Sequence, residues 1–243
     1  GRATSAVHNA MITYCETTRL GACFALLDQP AGLSASSMVT YVEETALLVG
    51  LSEFGHIHWP RGKVLNPNRT VYGSDKQLVV PVSGHIAGAC ARIDNARLGG
   101  VHDAIAGIVN GVLIGVVDVE NDQALDVNQR NLVEPKNINT LTSLPGMRPF
   151  LNNSNCLKTT GNWGTIGERR GMIFIEQSIK RVMEFARQRN LGERLYAEVN
   201  TSVTEFMRQQ TALDAFASRN PKLAFFVDTG RGLNTDAVRA TKT

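Results

Sequence analysis

The chain has 243 residues, enough for one large domain or two ordinary ones, and 43% of them are hydrophobic, ample for a core. A formal net charge of +3, with no block of like charges, leaves nucleic-acid binding by bulk electrostatics without support. No stretch approaches the ~18 apolar residues of a membrane span and no signal peptide is visible, so the chain is expected to be soluble and made in a cytoplasm.

Cys15, Cys23, Cys90 and Cys156 show no C-x-x-C and no metal-ligand spacing, and are read as small buried thiols of a reducing compartment. The start at Gly1-Arg2-Ala3, without an initiating Met, suggests a processed or excised piece of a longer chain.

In chain order, Ala6 to Thr18 carries Val7, Ala10, Met11, Tyr14 and Cys15 at helical spacing. Leu20 to Leu27 is a continuous apolar run closed by Asp28-Gln-Pro30, which suits a strand buried on both faces. Ser34 or Ser36 caps a helix to about Val49, with Met38, Val42, Ala46 and Val49 inward. Phe54 to Trp59 reads as the next strand, stopped by Pro60. Helix–strand–helix–strand is the grammar of an α/β layered domain.

Lys63 to Gly73 reads as a polar loop or extended hairpin and Gln77 to Val80 as a short strand. Pro81 to Arg92 begins a helix with Pro81 near its first turn. Its Gly84, Ala87, Gly88 and Ala91 form a small-residue face, and two helical glycines cost roughly 1 kcal/mol each relative to Ala. A backbone element is therefore expected close against Gly88. Val112 to Val119 reads as a central strand, Asp122 to Gln129 as a short helix and Ile138 to Leu141 as a short strand. A composition shift near Gly107 to Gly111 places a domain boundary there, giving 1–110 and 111–243.

The segment Pro145 to Gly167 is rich in Gly, Asn and Pro. After it, Met172, Ile175, Ile179, Val182, Met183 and Ala186 make one apolar stripe, flanked by Phe174 and Phe185. Gly171 is read as the end of the preceding loop. Glu176, Lys180, Arg181, Glu184, Arg187 and Arg189 form the outer face of this helix, and Glu176 to Lys180 is a favourable i,i+4 pair. Glu193 to Phe216 is a second long amphipathic helix with Leu195, Val199, Val203, Phe206, Leu213 and Phe216 inward. Leu223 to Val227 reads as a terminal strand and Asp228 to Thr243 as a polar tail. The fold class expected is α/β, a mixed sheet flanked by helices, followed by an α+β domain with two long amphipathic helices.

Few constellations carry chemistry. His56-Ile-His58 places two imidazoles on one face of a strand, a geometry able to bind zinc, but spacing nominates no third ligand and strands often carry solvent-facing His. Gly161-Asn-Trp-Gly-Thr-Ile-Gly167 lacks both G-x-G-x-x-G and the Lys-Ser/Thr of a phosphate loop. Ser83-Gly-His85 is no nucleophile elbow. Asp28, Asp94, Asp118 and Glu120 are scattered, and no acid/base pair can be assembled. A soluble α/β enzyme, metal-dependent through His56 and His58, is the alternative these residues leave open.

Phe174-Ile-Glu-Gln-Ser-Ile-Lys-Arg181 resembles the F-I-E-x-S-I-x-R helix of contractile-tail sheath proteins. Pro81-Val-Ser-Gly-His-Ile-Ala-Gly-Ala-Cys-Ala-Arg-Ile-Asp94, with Arg97 and Gly99-Gly-Val101, is similar to that family's P-P-S-x-x-x-A-G-x-x-A-R-x-D-x-x-R-G-x-W. Gly115 to Glu120 and Leu223 to Asp228 resemble two of its strands. The agreement spans about Val79 to Asp228. His102 stands where the family usually has Trp, and Ala104-Ile-Ala-Gly107 replaces Ala-Pro-Ala-Asn.

The resemblance implies a structural subunit of a phage-type contractile tail, not an enzyme and without cofactor. Its partners would be other sheath subunits in a sixfold helical sleeve, an inner tail tube protein and a baseplate, with no direct nucleic acid. Its place would be the virion tail, after assembly in a host bacterial cytoplasm. Lys180, Arg181, Arg187 and Arg189 are the candidate tube-facing residues. Family subunits exchange terminal strands with neighbours. The first helix starts near Ala6 with no arm before it, and the tail after Asp228 has no strand pattern, so this piece is expected to be a monomeric, assembly-incompetent core.

Overall fold

A computed structural model describes residues 3–120, 126–190, 192–230 and 235. It divides into two compact units, Gly1–Ile173 and Phe174–Thr243.

The chain begins with α1 (Ser5–Thr13), which runs into a π-helical turn (Tyr14–Thr18), then β1 (Ala25–Asp28) and α2 (Ala35–Thr40) with a second π turn (Tyr41–Thr45). Thr4 and Ser34 cap these helices by accepting from the amides of Val7 and Ser37, satisfying donors that helix starts leave orphaned. Next come β2 (Gly55–Trp59), β3 (Gly62–Leu65), β4 (Gln77–Val80), α3 (Ser83–Ala96), α4 (Gly107–Asn110) and β5 (Val116–Val119). The unit is completed by α5 (Val127–Val133), β6 (Ile138–Thr142), β7 (Phe150–Leu151) and the start of α6 (Ile166–Val182).

The main sheet is mixed, in the order β1-β2-β6-β7. The first three strands run parallel and β7 antiparallel. Alternation along the strands splits two cores. Leu27, Ile57, Trp59 and Ile138 pack with Ile12, Met38, Val42 and Leu48. Ile86, Ala89, Cys90 and Ile93 of α3 pack with Ile105, Leu113, Leu141 and Ile166. The indole of Trp59 donates to the Leu33 carbonyl at 2.9 Å. The α/β class with helices on a mixed sheet is therefore as expected. A second sheet, β4-β3-β5, is antiparallel.

Several expectations need correction. The strand read from Leu20 is confined to Ala25–Asp28, because Leu20 (φ 50°) and Gly21 (φ 73°) form a left-handed turn. The α2 segment ends earlier, with Leu47 at φ 52°, and this leaves Val49 exposed. β5 begins at Val116 and is an edge strand of the small sheet. The short helix placed at Asp122 is α5 from Val127, with 121–125 outside the described residues. The composition shift at Gly107 to Gly111 is the α4 turn, after which β5 pairs with β3 and β6 with β2. The chain thus returns to both sheets of the first unit, and the compact units divide at Ile173 and Phe174 rather than near 110.

The small-residue face of α3 points outward: Gly84, Ala87, Gly88 and Ala91 are exposed. A Cβ built on Gly88 would meet nothing within 4 Å. The close backbone approach expected there occurs instead at α6, where a Cβ on Gly167 would lie 3.0 Å from the Asp103 carbonyl oxygen and 3.2 Å from the Ala104 Cα. Gly171 lies inside that helix, not at its start, and packs on the His102 ring.

The second unit holds the rest of α6, a 3₁₀ turn (Met183–Ala186), α7 (Glu193–Ala212) and α8 (Pro221–Ala224). Ile175 and Leu195 are buried, and the rings of Phe174 and Phe206 sit 6.4 Å apart. The strand expected at Leu223 to Val227 is absent among the described residues. Asn220 accepts from the Lys222 amide at 3.1 Å and Pro221 opens the first turn, so the segment starts a short helix. Leu223 and Phe226 are exposed. Most of the polar tail, 231–234 and 236–243, lies outside the described residues.

Candidate functional site

Ser83, Arg92, Asp94 and Arg97 of the Pro81–Arg97 motif are engaged within the first unit. Arg92 donates to the carbonyls of Val112 and Asn110, both at 2.9 Å, and so ties α3 to the α4 turn. Arg97 forms a two-pronged pair with Asp103, at 3.1 and 2.5 Å. Asp94 accepts from the buried Arg170 guanidinium. His102 fills the space that Gly171 leaves on α6.

The start of α6 is built by reciprocal capping. The Thr165 amide donates to Glu168 Oε2 at 3.0 Å, and the Glu168 amide donates to Thr165 Oγ1 at 3.3 Å. One turn on, Arg169 is buried, donates to Glu53 Oε1 at 3.0 Å and stacks 4.4 Å over the Phe54 ring. Such a charge is tolerated inside only because it is paired and covered. Sequence reasoning missed Arg169 and Arg170 as core anchors. Ile166, Arg169, Arg170 and Ile173 share the i, i+3, i+4, i+7 stripe, and that spacing was the available signal.

In the second unit, Lys180 and Arg181 are exposed on the last turn of α6. Arg187 and Arg189, read as part of the same helix, lie beyond it. Arg187 is extended (φ −64°, ψ 131°) and Gln188 is left-handed (φ 62°). The four basic side chains are not equivalent. Arg189 pairs with Glu198 of α7 at 2.6 Å, and Arg194 joins the same carboxylate at 3.1 Å. The guanidinium of Arg189, then that of Arg194, holds the Glu198 carboxyl below its ordinary range. Arg187 sits 3.5 Å from Glu184. Among the described residues Lys180 and Arg181 have no ion-pair partner, so they carry the uncompensated charge of this surface.

The remaining candidates dissolve into structure. His56 and His58 are fully buried, not solvent-facing. Each donates from Nδ1 to a carbonyl, His56 to Asn155 at 3.1 Å and His58 to Leu27 at 3.4 Å. Burial, the largest cause, brings His56 down to about 3 and His58 down to about 4, so both are neutral. Among the described residues no group of three His, Cys, Asp or Glu could hold a metal ion. Ser83 donates to Asp28 at 2.6 Å, and Asp28 thereby caps α3. Asp118 pairs with Lys63 at 3.2 Å, and Glu120 accepts from the Gly32 amide at 3.2 Å. The segment Gly161 to Gly167 is the connector that leads into the α6 cap. Nothing in this geometry supports the metal-dependent enzyme alternative.

No family model and no curated protein matches the chain. Solved structures do. A chain of the sixfold-symmetrised anti-feeding prophage baseplate is 22% identical with a TM-score of 0.77, over 98% of this chain and 58% of its own. The anti-feeding prophage helical sheath in its contracted state is 23% identical with a TM-score of 0.74, over 98% and 60%. The sheath complex of the extracellular contractile injection system PVC, contracted, is 21% identical with a TM-score of 0.72, over 90% and 57%. The chain thus has the fold of contractile sheath proteins and spans about three fifths of the length of the chains it matches.

Proposed function

We propose that the protein is a structural subunit of a contractile sheath, which surrounds an inner tube and shortens to drive that tube through a cell envelope. The observation that supports this most is the extent of the fold match, 98% of the chain against a contracted helical sheath. The intrachain use of Arg92, Asp94, Arg97 and Arg170 agrees with it, since those residues are spent on building a rigid unit. The work would be done by assembly: subunit contacts with two packings of different free energy, released as rearrangement. Neighbouring sheath subunits, the tube protein and a baseplate are the partners proposed, within a phage-like particle assembled in a bacterial cytoplasm. Lys180 and Arg181, with Arg187 and Arg189 beside them, are proposed to face the tube.

The test is coexpression of the full-length protein with its cognate tube protein, followed by negative-stain imaging. Striated sleeves around tubes are the expected outcome. Bare tubes beside dispersed subunits, under conditions where both proteins are folded, would refute the reading.

A further inference from the structure

We propose that Cys15 and Cys23 form an oxidisable dithiol, a modification site that closes into an intrachain disulfide when a small disulfide oxidant enters the groove beside α1. The two sulfurs lie 3.6 Å apart and both are free thiols. Cys15 belongs to the π-helical turn that ends α1, and Cys23 precedes β1. The turn between them reverses through Leu20 and Gly21, held by the Gly21 amide donating to the Cys15 carbonyl at 2.9 Å. A disulfide needs its sulfurs at about 2.05 Å, so rotation of the two side chains has little distance to close.

Access is through Cys23, the least buried of the four cysteines, with Cys15 buried beside it. Cys15 and Cys23 line a groove of about 700 Å³ whose walls include Met11, Tyr14, Phe24 and Ala87. Cys23 is half-buried there, whereas Cys90 and Cys156 are buried. With oxidised glutathione as oxidant, the Cys23 thiolate attacks one glutathione sulfur and the other glutathione leaves, taking up a proton. Cys15 then loses its proton to solvent and attacks Cys23 Sγ, releasing the second glutathione. Two protein thiols and one glutathione disulfide become one protein disulfide and two glutathiones. Burial first, then contact with Cys23, pushes the Cys15 thiol up to about 12. The closing step is therefore the slow one and should quicken by about tenfold per pH unit from neutrality. A reducing glutathione pool keeps the pair open, and its loss lets the pair close.

The test is to incubate the folded full chain with oxidised glutathione at pH 8, unfold and alkylate it, and map tryptic peptides without reduction. Arg19 lies between the two cysteines, so trypsin separates them unless they are bonded. Alkylatable thiols should fall from the four free cysteines to Cys90 and Cys156 alone, with one crosslinked peptide pair joining Cys15 to Cys23. In Cys15→Ser, glutathione should remain attached at Cys23. Four alkylatable thiols after treatment, or oxidation spread equally onto Cys90 and Cys156, would overturn the proposal.

Discussion

Two glycines of equal chemistry should respond to Ala with opposite signs. At Gly88, midway along α3, the added methyl meets nothing within 4 Å. Gly88→Ala therefore keeps the gain in helix propensity, about 1 kcal/mol, and for a chain of this size should raise Tm by about 2–4 °C. At Gly167, in the first turn of α6, the methyl would press on the Asp103 carbonyl and the Ala104 Cα, at 3.0 and 3.2 Å. Those are backbone atoms, which cannot swing aside as a side-chain tip can. Overpacking costs typically about 1–3 kcal/mol and should outweigh the propensity gain, lowering Tm. Circular dichroism melts and urea midpoints on the two purified variants measure both. If Gly88→Ala lowered Tm in the free chain, the outer face of α3 would have to be covered, and the placement argued here would fail.

Stability should also fall on acidification. The ordinary histidine value is 6.5, and burial holds His56 and His58 at about 3 and about 4. The unfolded chain therefore takes up protons that the native one refuses. The contribution of these residues is fully present above pH 6.5 and is lost as pH falls from there toward 4. With both sites counted, the slope approaches about 3 kcal/mol per pH unit. Urea midpoints at pH 7 and 5 check this; His58→Gln should flatten the dependence, and an equal dependence in that variant would count against the assignment. Reversing Lys180 and Arg181 to Glu should leave stability within about 0.5 kcal/mol, because exposed charges contribute little. It should weaken sleeve formation on tubes, most at low ionic strength, since salt screens the charge difference. Undiminished tube-templated assembly would remove these residues from the tube contact.

What could be read in the sequence was what periodicity and end signals encode. Met38, Val42 and Ala46, or Ile57 and Trp59, lie inside because their spacing puts them on one face. What was hidden depended on partners far along the chain. Gly171 looks like a loop end until His102 is seen against it. Leu223 to Val227 has strand composition, but a strand exists only where a neighbour pairs with it, and the Asn220-Pro221 start favours a helical turn. His56 and His58 alternate as surface residues would, yet their strand is covered on both faces. The basic cluster was legible as composition; which cations remain free was not, since Glu198 neutralises Arg189 from a different helix.

The strand order β1-β2-β6 has a kinetic consequence. β2 lies at the centre of the sheet, yet its second partner enters at Ile138 opposite Ile57, roughly 80 residues later, a loop whose closure costs about 4 kcal/mol in chain entropy. On a ribosome elongating at about 5–20 residues per second, the free side of β2 waits roughly 4–16 s for β6. During that interval the nascent chain presents an unpaired, apolar strand edge to every other nascent copy. Aggregation during synthesis, rather than loss of the finished fold, is then the hazard that chaperone supply and expression temperature would govern.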